Sequence, residues 1–140
     1  MKIVLDTNVL VSGLLQPVGP SGRIVSRAVA GELSLCHDER ILAEYREVLL
    51  RKKFRFDPER VEVLLEGIQA DGIVVEGRSL AISLPDPDDE PFLEIALAGE
   101  AQCLVTGNAK HYPSEARSGM EVLSPRSFIE LYPEPPDSLT

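Results

Sequence analysis

The stretch LPDPDDEPFLEIALA, Leu84 to Ala98, sets Asp86, Asp88, Asp89 and Glu90 directly before an apolar run. Like charges this close must cap a helix, face water, or hold something positive. Asp89 stands three, four and seven residues before Phe92, Leu93 and Ala96. On a helix it therefore heads the face that those residues bury. Each acid at a helix N-terminus gains about 0.3–1 kcal/mol. That accounts for Asp88 as the N-cap, with Pro91 tolerated in the first turn. It does not account for an acid aimed at the core. Glu90 and Glu94 are expected to face solvent.

Two more acids occupy positions of the same kind. Asp6 ends the β-rich run KIVLD and is followed by Thr7 and Asn8, more polar groups than a helix cap requires. Glu44 lies on a helix capped by Asp38, whose apolar stripe is Ile41, Leu42, Tyr45, Val48 and Leu49. Glu44 falls at the edge of that stripe and Glu47 nearly opposite. Thr106 and Asn108 lie at the carboxyl end of the run CLVTG and complete the polar set. If Asp6, Glu44 and Asp89 converge, the ligand set is all oxygen. Hard oxygen donors without Cys or His suit Mg²⁺ or Mn²⁺ rather than Zn²⁺. Two such ions about 4 Å apart can activate water and stabilise a leaving oxygen on phosphorus. His37 and His111 read as surface residues, and Cys36 and Cys103 as small buried apolar groups.

The elements that must position these acids alternate between strand and helix. Strands are expected at Lys2–Asp6, Leu33–Cys36, Gly72–Val75, Cys103–Gly107 and Met120–Ser124. Helices are expected at Asn8–Leu15, Ser21–Ala30, from Asp38, from Asp57-Pro58 to Ala70, at Glu90–Glu100 and from Ser124-Pro125 to Leu131. Such alternation predicts a parallel sheet with helices on both faces. Ligands of such sheets bind beyond the carboxyl ends of the strands, near the switch in strand order. One domain is expected over residues 1–132, with a flexible proline-rich tail at 133–140.

Composition narrows the class. The chain of 140 residues is 44% apolar and 26% charged, ordinary values for a globular domain. No apolar run approaches the ~20 residues of a membrane span. The run KIVLDTNVLVSGLL is interrupted by Asp6 and Asn8, which also argues against a signal peptide. A cytoplasmic protein is expected. The net charge of −9 opposes broad charge-driven nucleic-acid binding. A local exception is REVLLRKKFR, where Arg46, Arg51, Lys52, Lys53 and Arg55 face only Glu47.

The pieces IVLDTNVLVSGLL, ILAEYREVL, DPDDEPFLEIALA and LVTGNAKHYP, in that order, resemble the PIN-domain family of metal-dependent ribonucleases. The resemblance runs from Met1 to about Tyr132. It is closest to toxin components of bacterial and archaeal toxin–antitoxin pairs. It implies a three-layer α/β/α fold with a five-stranded parallel sheet, and Mg²⁺- or Mn²⁺-dependent hydrolysis of RNA phosphodiesters. By position it makes Asp6, Glu44 and Asp89 the family's three acids, with Asp88 or Asp86 as alternatives to Asp89. Thr7, Asn8, Ser12 and Thr106 take supporting roles, as does Asp88. Where the family often has a fourth acid, this chain offers Asn108 and His111. The resemblance further implies an RNA substrate, guided in by the Arg46–Arg55 tract, a cognate antitoxin partner and a homodimer.

Two other readings fit fewer residues. A phosphotransferase with Asp6 as nucleophile needs a second Asp two residues on, where Asn8 stands. A non-catalytic module binding RNA or a partner would explain the missing fourth acid.

Overall fold

Five short strands carry the apolar runs: β1 (Lys2–Leu5), β2 (Ser34–His37), β3 (Ile73–Val74), β4 (Cys103–Val105) and β5 (Val122–Leu123). They form one parallel sheet in the order β3-β2-β1-β4-β5. The computed structural model describes residues 1–135. Six α-helices lie among those residues: α1 (Thr7–Leu15), α2 (Pro20–Val29), α3 (Glu39–Leu49), α4 (Pro58–Asp71), α5 (Glu90–Ala98) and α6 (Pro125–Leu131). The chain runs outward from β1 through β2 to β3, then crosses back to β4 and β5. Right-handed crossovers in opposite directions put helices on opposite faces. The result is the three-layer α/β/α arrangement expected of the sequence.

The starts of the helices follow local chemistry. Asp38 caps α3 by accepting the Ile41 N–H at 2.9 Å. Asp57 caps α4 and Ser124 caps α6, each followed by Pro at the first helical position. The strands are shorter than the apolar runs that signal them. β3 keeps only two residues because it is an edge, with Val74 75% exposed. β2 runs one residue past Cys36, so His37 pairs with Val74 and is buried. That corrects the surface reading of His37. Burial, opposed by the Ile68 backbone and the charge of Asp38, holds its pKa below the ordinary histidine value.

The core fills the space between sheet and helices. Ile3, Val4 and Leu5 of β1 and Leu104 and Val105 of β4 are fully buried. Tyr45 of α3 and Phe92 of α5 meet with ring centres 6.2 Å apart. The Tyr45 hydroxyl donates to the Leu5 carbonyl at 2.6 Å, which anchors α3 to the end of β1. Of the tail expected at 133–140, residues 136–140 lie outside the described residues. Glu134 pairs with Arg23 at 3.2 Å, and Arg27 donates to the Tyr132 carbonyl at 2.7 Å.

Close approach of α1 and α2 depends on glycine. A Cβ on Gly22 would lie 2.2 Å from the Pro17 carbonyl oxygen, and one on Gly13 2.7 Å from Val25 Cγ2. Gly22→Ala is therefore expected to lower unfolding stability by about 1–3 kcal/mol, the usual cost of overpacking. Gly67 lies inside α4 with nothing within 4 Å of an added Cβ. Gly67→Ala is expected to raise stability by about 0.5–1 kcal/mol through helix propensity. Urea unfolding of the two variants should shift the midpoint in opposite directions.

Candidate active site

The strand order reverses between β1 and β4, and the polar residues that follow these two strands meet there. Asp6 follows β1 directly, and its N–H donates to the Val105 carbonyl at 2.9 Å. Its position is the N-cap of α1, yet its side chain makes no cap hydrogen bond. The residue is 4% exposed, and its Oδ2 accepts from the Thr106 hydroxyl and the Tyr112 hydroxyl, each at 2.9 Å. A carboxylate this enclosed is stable only with donors or cations around it. Both donors fall on one oxygen, which leaves Oδ1 for something else.

The flanking residues brace this carboxylate. The Thr106 hydroxyl in turn accepts the Asn108 N–H at 3.0 Å. Asn8 Oδ1 accepts the Gly107 N–H at 2.9 Å, tying α1 to the loop after β4. The Thr7 hydroxyl donates to Glu44 Oε2. Glu44 leans inward as its place on the stripe suggests, while Glu47 points out and pairs with Arg51. Burial pushes the Glu44 pKa up; the Thr7 hydroxyl opposes this, and the charges of Asp6, Asp89 and Asp88 add to it.

The acidic stretch sorts its members by direction. Asp86 caps a single 3-10 turn at Pro87–Asp89 by accepting the Asp88 N–H at 2.9 Å. Asp88 is exposed, and the N-cap position of α5 falls on Asp89, which corrects the expected cap. The extra turn accounts for the shift by one residue. Asp89 turns inward with its side chain 14% exposed. His111 Nδ1 lies 3.0 Å from Asp89 Oδ2, and no other group among the described residues donates to this buried oxygen. Burial, then the charges of Asp6 and Asp86, push Asp89 up to about 6 despite His111. The acids after Asp89 are not free in solvent. Glu90 accepts the Leu84 N–H at 2.9 Å, and Glu94 pairs with Arg40 at 3.2 Å.

Asp6 at the end of β1, Glu44 on α3 and Asp89 before α5 thus lie at one end of the sheet, where the charges of Asp6 and Asp89 push Glu44 up and that of Asp6 pushes Asp89 up. Among the described residues, no three acidic, histidine or cysteine side chains already stand close enough to clasp one ion. The donor chemistry nevertheless fits a hard divalent cation. Asp89 Oδ2 meets only the His111 ring, Asp6 Oδ1 accepts no side-chain hydrogen bond, and no Lys or Arg among the described residues pairs with Asp6, Glu44 or Asp89.

The PIN-domain family profile matches residues 2–110. The chain belongs to the PIN-domain family. PIN domains are in general nucleases that use divalent metal ions. An uncharacterized protein of Methanocaldococcus jannaschii is 24% identical over 143 residues, covering 94% of this chain and 92% of that protein.

Some site features lie beyond what the sequence signalled. Tyr112 is buried and donates to Asp6, and burial with the charges of Asp6 and Asp89 keeps its hydroxyl protonated. Its only sequence signal is a tyrosine closing a polar loop, since a buried Tyr seeks a partner for its hydroxyl. His111 and Asn108 form a pair, with Asn108 Nδ2 2.9 Å from His111 Nε2. Ser12 is half-buried on α1, two turns from Asp6. In the basic tract, Arg46 pairs with Glu62 at 2.9 Å and Arg51 with Glu47 at 2.8 Å. Helical neighbours therefore occupy two of the five expected RNA-binding cations. Lys52, Lys53 and Arg55 have no ion pair among the described residues.

Asp89 gives a pH prediction. Its folded pKa of about 6 lies above the ordinary 3.8, so folding favours the neutral acid. The stability it contributes is present below 3.8 and lost as pH rises through about 6. In chelator, Asp89→Asn should raise the melting temperature at pH 7.5 and change it little at pH 4. A variant less stable than wild type at pH 7.5 would show that the anion is satisfied without metal.

Proposed function

We propose that this protein is a Mg²⁺- or Mn²⁺-dependent endoribonuclease with Asp6, Glu44 and Asp89 as its metal-holding, catalytic carboxylates. The observation that carries this reading is a cluster of carboxylates at the switch point, Asp6 buried and Glu44 and Asp89 half-buried, with no Lys or Arg paired to them among the described residues. Divalent ions held there would supply an activated water and a positive charge for the phosphodiester's leaving oxygen. Thr106 and Tyr112 both donate to Asp6 Oδ2, which orients the carboxylate and leaves Oδ1 for a metal ion. Thr7 does the same for Glu44, and His111 crowds Asp89 Oδ2 from the loop side. Asn8 is a brace between α1 and the loop after β4 rather than an acid–base group. That arrangement disfavours an aspartyl-phosphate route through Asp6.

The family setting supports a cytoplasmic toxin neutralised by an antitoxin and acting as a homodimer. No helix among the described residues is long and apolar enough to cross a membrane. A second reading, a PIN-like module that binds RNA or a partner without turnover, is favoured by one observation. No three-ligand cluster is pre-assembled among the described residues, and Asn108 stands where a fourth acid is often found.

The test is cleavage of mixed single-stranded and structured RNAs with Mn²⁺, Mg²⁺ or chelator. Wild type should cleave only with metal, and Asp6→Asn and Asp89→Asn should lose both cleavage and Mn²⁺ binding. Tyr112→Phe removes only a brace and should lower activity roughly 10- to 100-fold. Full activity in Asp6→Asn sinks the nuclease reading. No turnover with any divalent ion, together with metal-independent RNA binding, supports the module instead.

A further inference from the structure

We infer that Phe54 and the outer face of α1 form a stacking subsite for one nucleobase of a single-stranded RNA. The inference rests on the nuclease reading only for the identity of the nucleic acid. A groove of about 340 Å³ is lined by Asn8, Val11, Ser12, Leu15, Gln16 and Phe54. Asn8, Ser12 and Gln16 are spaced one helical turn apart, so they form a ladder leading from the acidic pocket. The rise from Asn8 to Gln16 is about 12 Å at 1.5 Å per residue. That is about three to four stacked nucleotides at 3.4 Å each. The groove begins at the candidate site, because Asn8 braces the loop that carries Thr106 and Asn108.

Three observations point to a base as the occupant. Phe54 is half-buried, stacks on Phe56 with centroids 5.7 Å apart and planes 17° apart, and still lines the groove. A ring held this way is a fixed platform, and stacking on it tolerates any base. Leu15, on the same groove, is 53% exposed and adds apolar wall.

The second observation is charge. Lys52, Lys53 and Arg55 flank the ring without acidic partners among the described residues, on a chain of net charge −9. The Lys53 ammonium lies 5.1 Å from the Phe54 ring centre. A base entering the groove would displace this exposed cation from the ring toward the base's own phosphate. A peptide with the apolar chemistry of the groove offers these cations nothing unless it is also acidic, whereas every nucleotide brings a phosphate beside its base.

The third observation is backbone. Arg55 adopts φ +57°, a left-handed conformation that costs a side-chain-bearing residue energy. Glycine would relieve it. Arginine there keeps a third cation at the turn beside Phe54.

The experiment measures binding of a short fluorescent single-stranded oligoribonucleotide in chelator, with each nucleotide replaced in turn by an abasic one. Wild type should lose affinity at one abasic position within about four nucleotides of the bond it cleaves. Phe54→Leu should weaken binding of the intact strand roughly 5- to 150-fold. It should also abolish the penalty of that one abasic position, while Phe54→Trp keeps both. The abasic series on wild type stands whether or not Phe54→Leu folds. Equal penalties at every position overturn the inference. So does failure of wild type to bind the strand, which would leave a protein segment as the groove's occupant. Metal-dependent cleavage without the position effect removes the subsite and keeps the nuclease. The position effect in a protein that cleaves nothing removes the nuclease and keeps the subsite.

Discussion

The constraint on which the structure turns is that several carboxylates occupy one end of the sheet with no Lys or Arg paired to them among the described residues. Asp6 is buried, Glu44 and Asp89 are half-buried, and the charge of Asp6 raises the cost of ionising the other two. Left alone, such a group would open the fold until water reached it. Hydroxyl donors hold it instead. Thr106 and Tyr112 serve Asp6, and Thr7 serves Glu44. These donors are neutral, so they orient the acids without cancelling their charge. A salt bridge from Lys or Arg would have stabilised the site more and removed its affinity for a divalent ion.

Holding repelling groups at fixed positions demands stiff supports, and the packing behind the site supplies them. β1 and β4 are buried along their length, and their parallel register sets Asp6 and Thr106 side by side. Tyr45 binds the last carbonyl of β1 and packs on Phe92. The backbones that carry Glu44 and Asp89 are thus joined one residue from Asp6. The glycines at the α1–α2 contact serve the same end, since α1 begins on the residue after Asp6.

The parts of this arrangement governed by local chemistry were legible in the sequence. Caps at Asp38, Asp57 and Ser124 act through residues two or three positions away, so their signal is short-range. The inward direction of Glu44 and Asp89 follows from helical periodicity against apolar neighbours. What escaped was set by partners distant in sequence. Tyr112 reaches Asp6 across 106 residues, and no spacing rule reports that. His37 reads as a turn residue because its burial comes from β3 and Gly72, which approach from far along the chain. Glu90 and Glu94 read as solvated because their partners, the Leu84 N–H and Arg40, lie off the helix. The basic tract misled for the opposite reason. Counting charges could not show that Glu47 and Glu62 occupy Arg51 and Arg46.

That division of the basic tract would reconcile an acidic protein with the RNA substrate proposed for it. Uniform positive charge would bind any phosphate backbone and hold product as firmly as substrate. Here the cations of α3 are neutralised by neighbours, and positive charge survives mainly at the turn carrying Lys52, Lys53 and Arg55. Attraction is therefore local to one side of the acidic pocket. A strand drawn to that turn meets the α1 ladder before it meets the carboxylates, so it approaches from a fixed direction. Metal ions in the pocket would reverse the local sign of charge only where the phosphodiester must sit. Without them the pocket repels the backbone. On the proposed function, binding at the turn and reaction in the pocket would be separable steps, the first set by side chains alone and the second by the ion the carboxylates would hold.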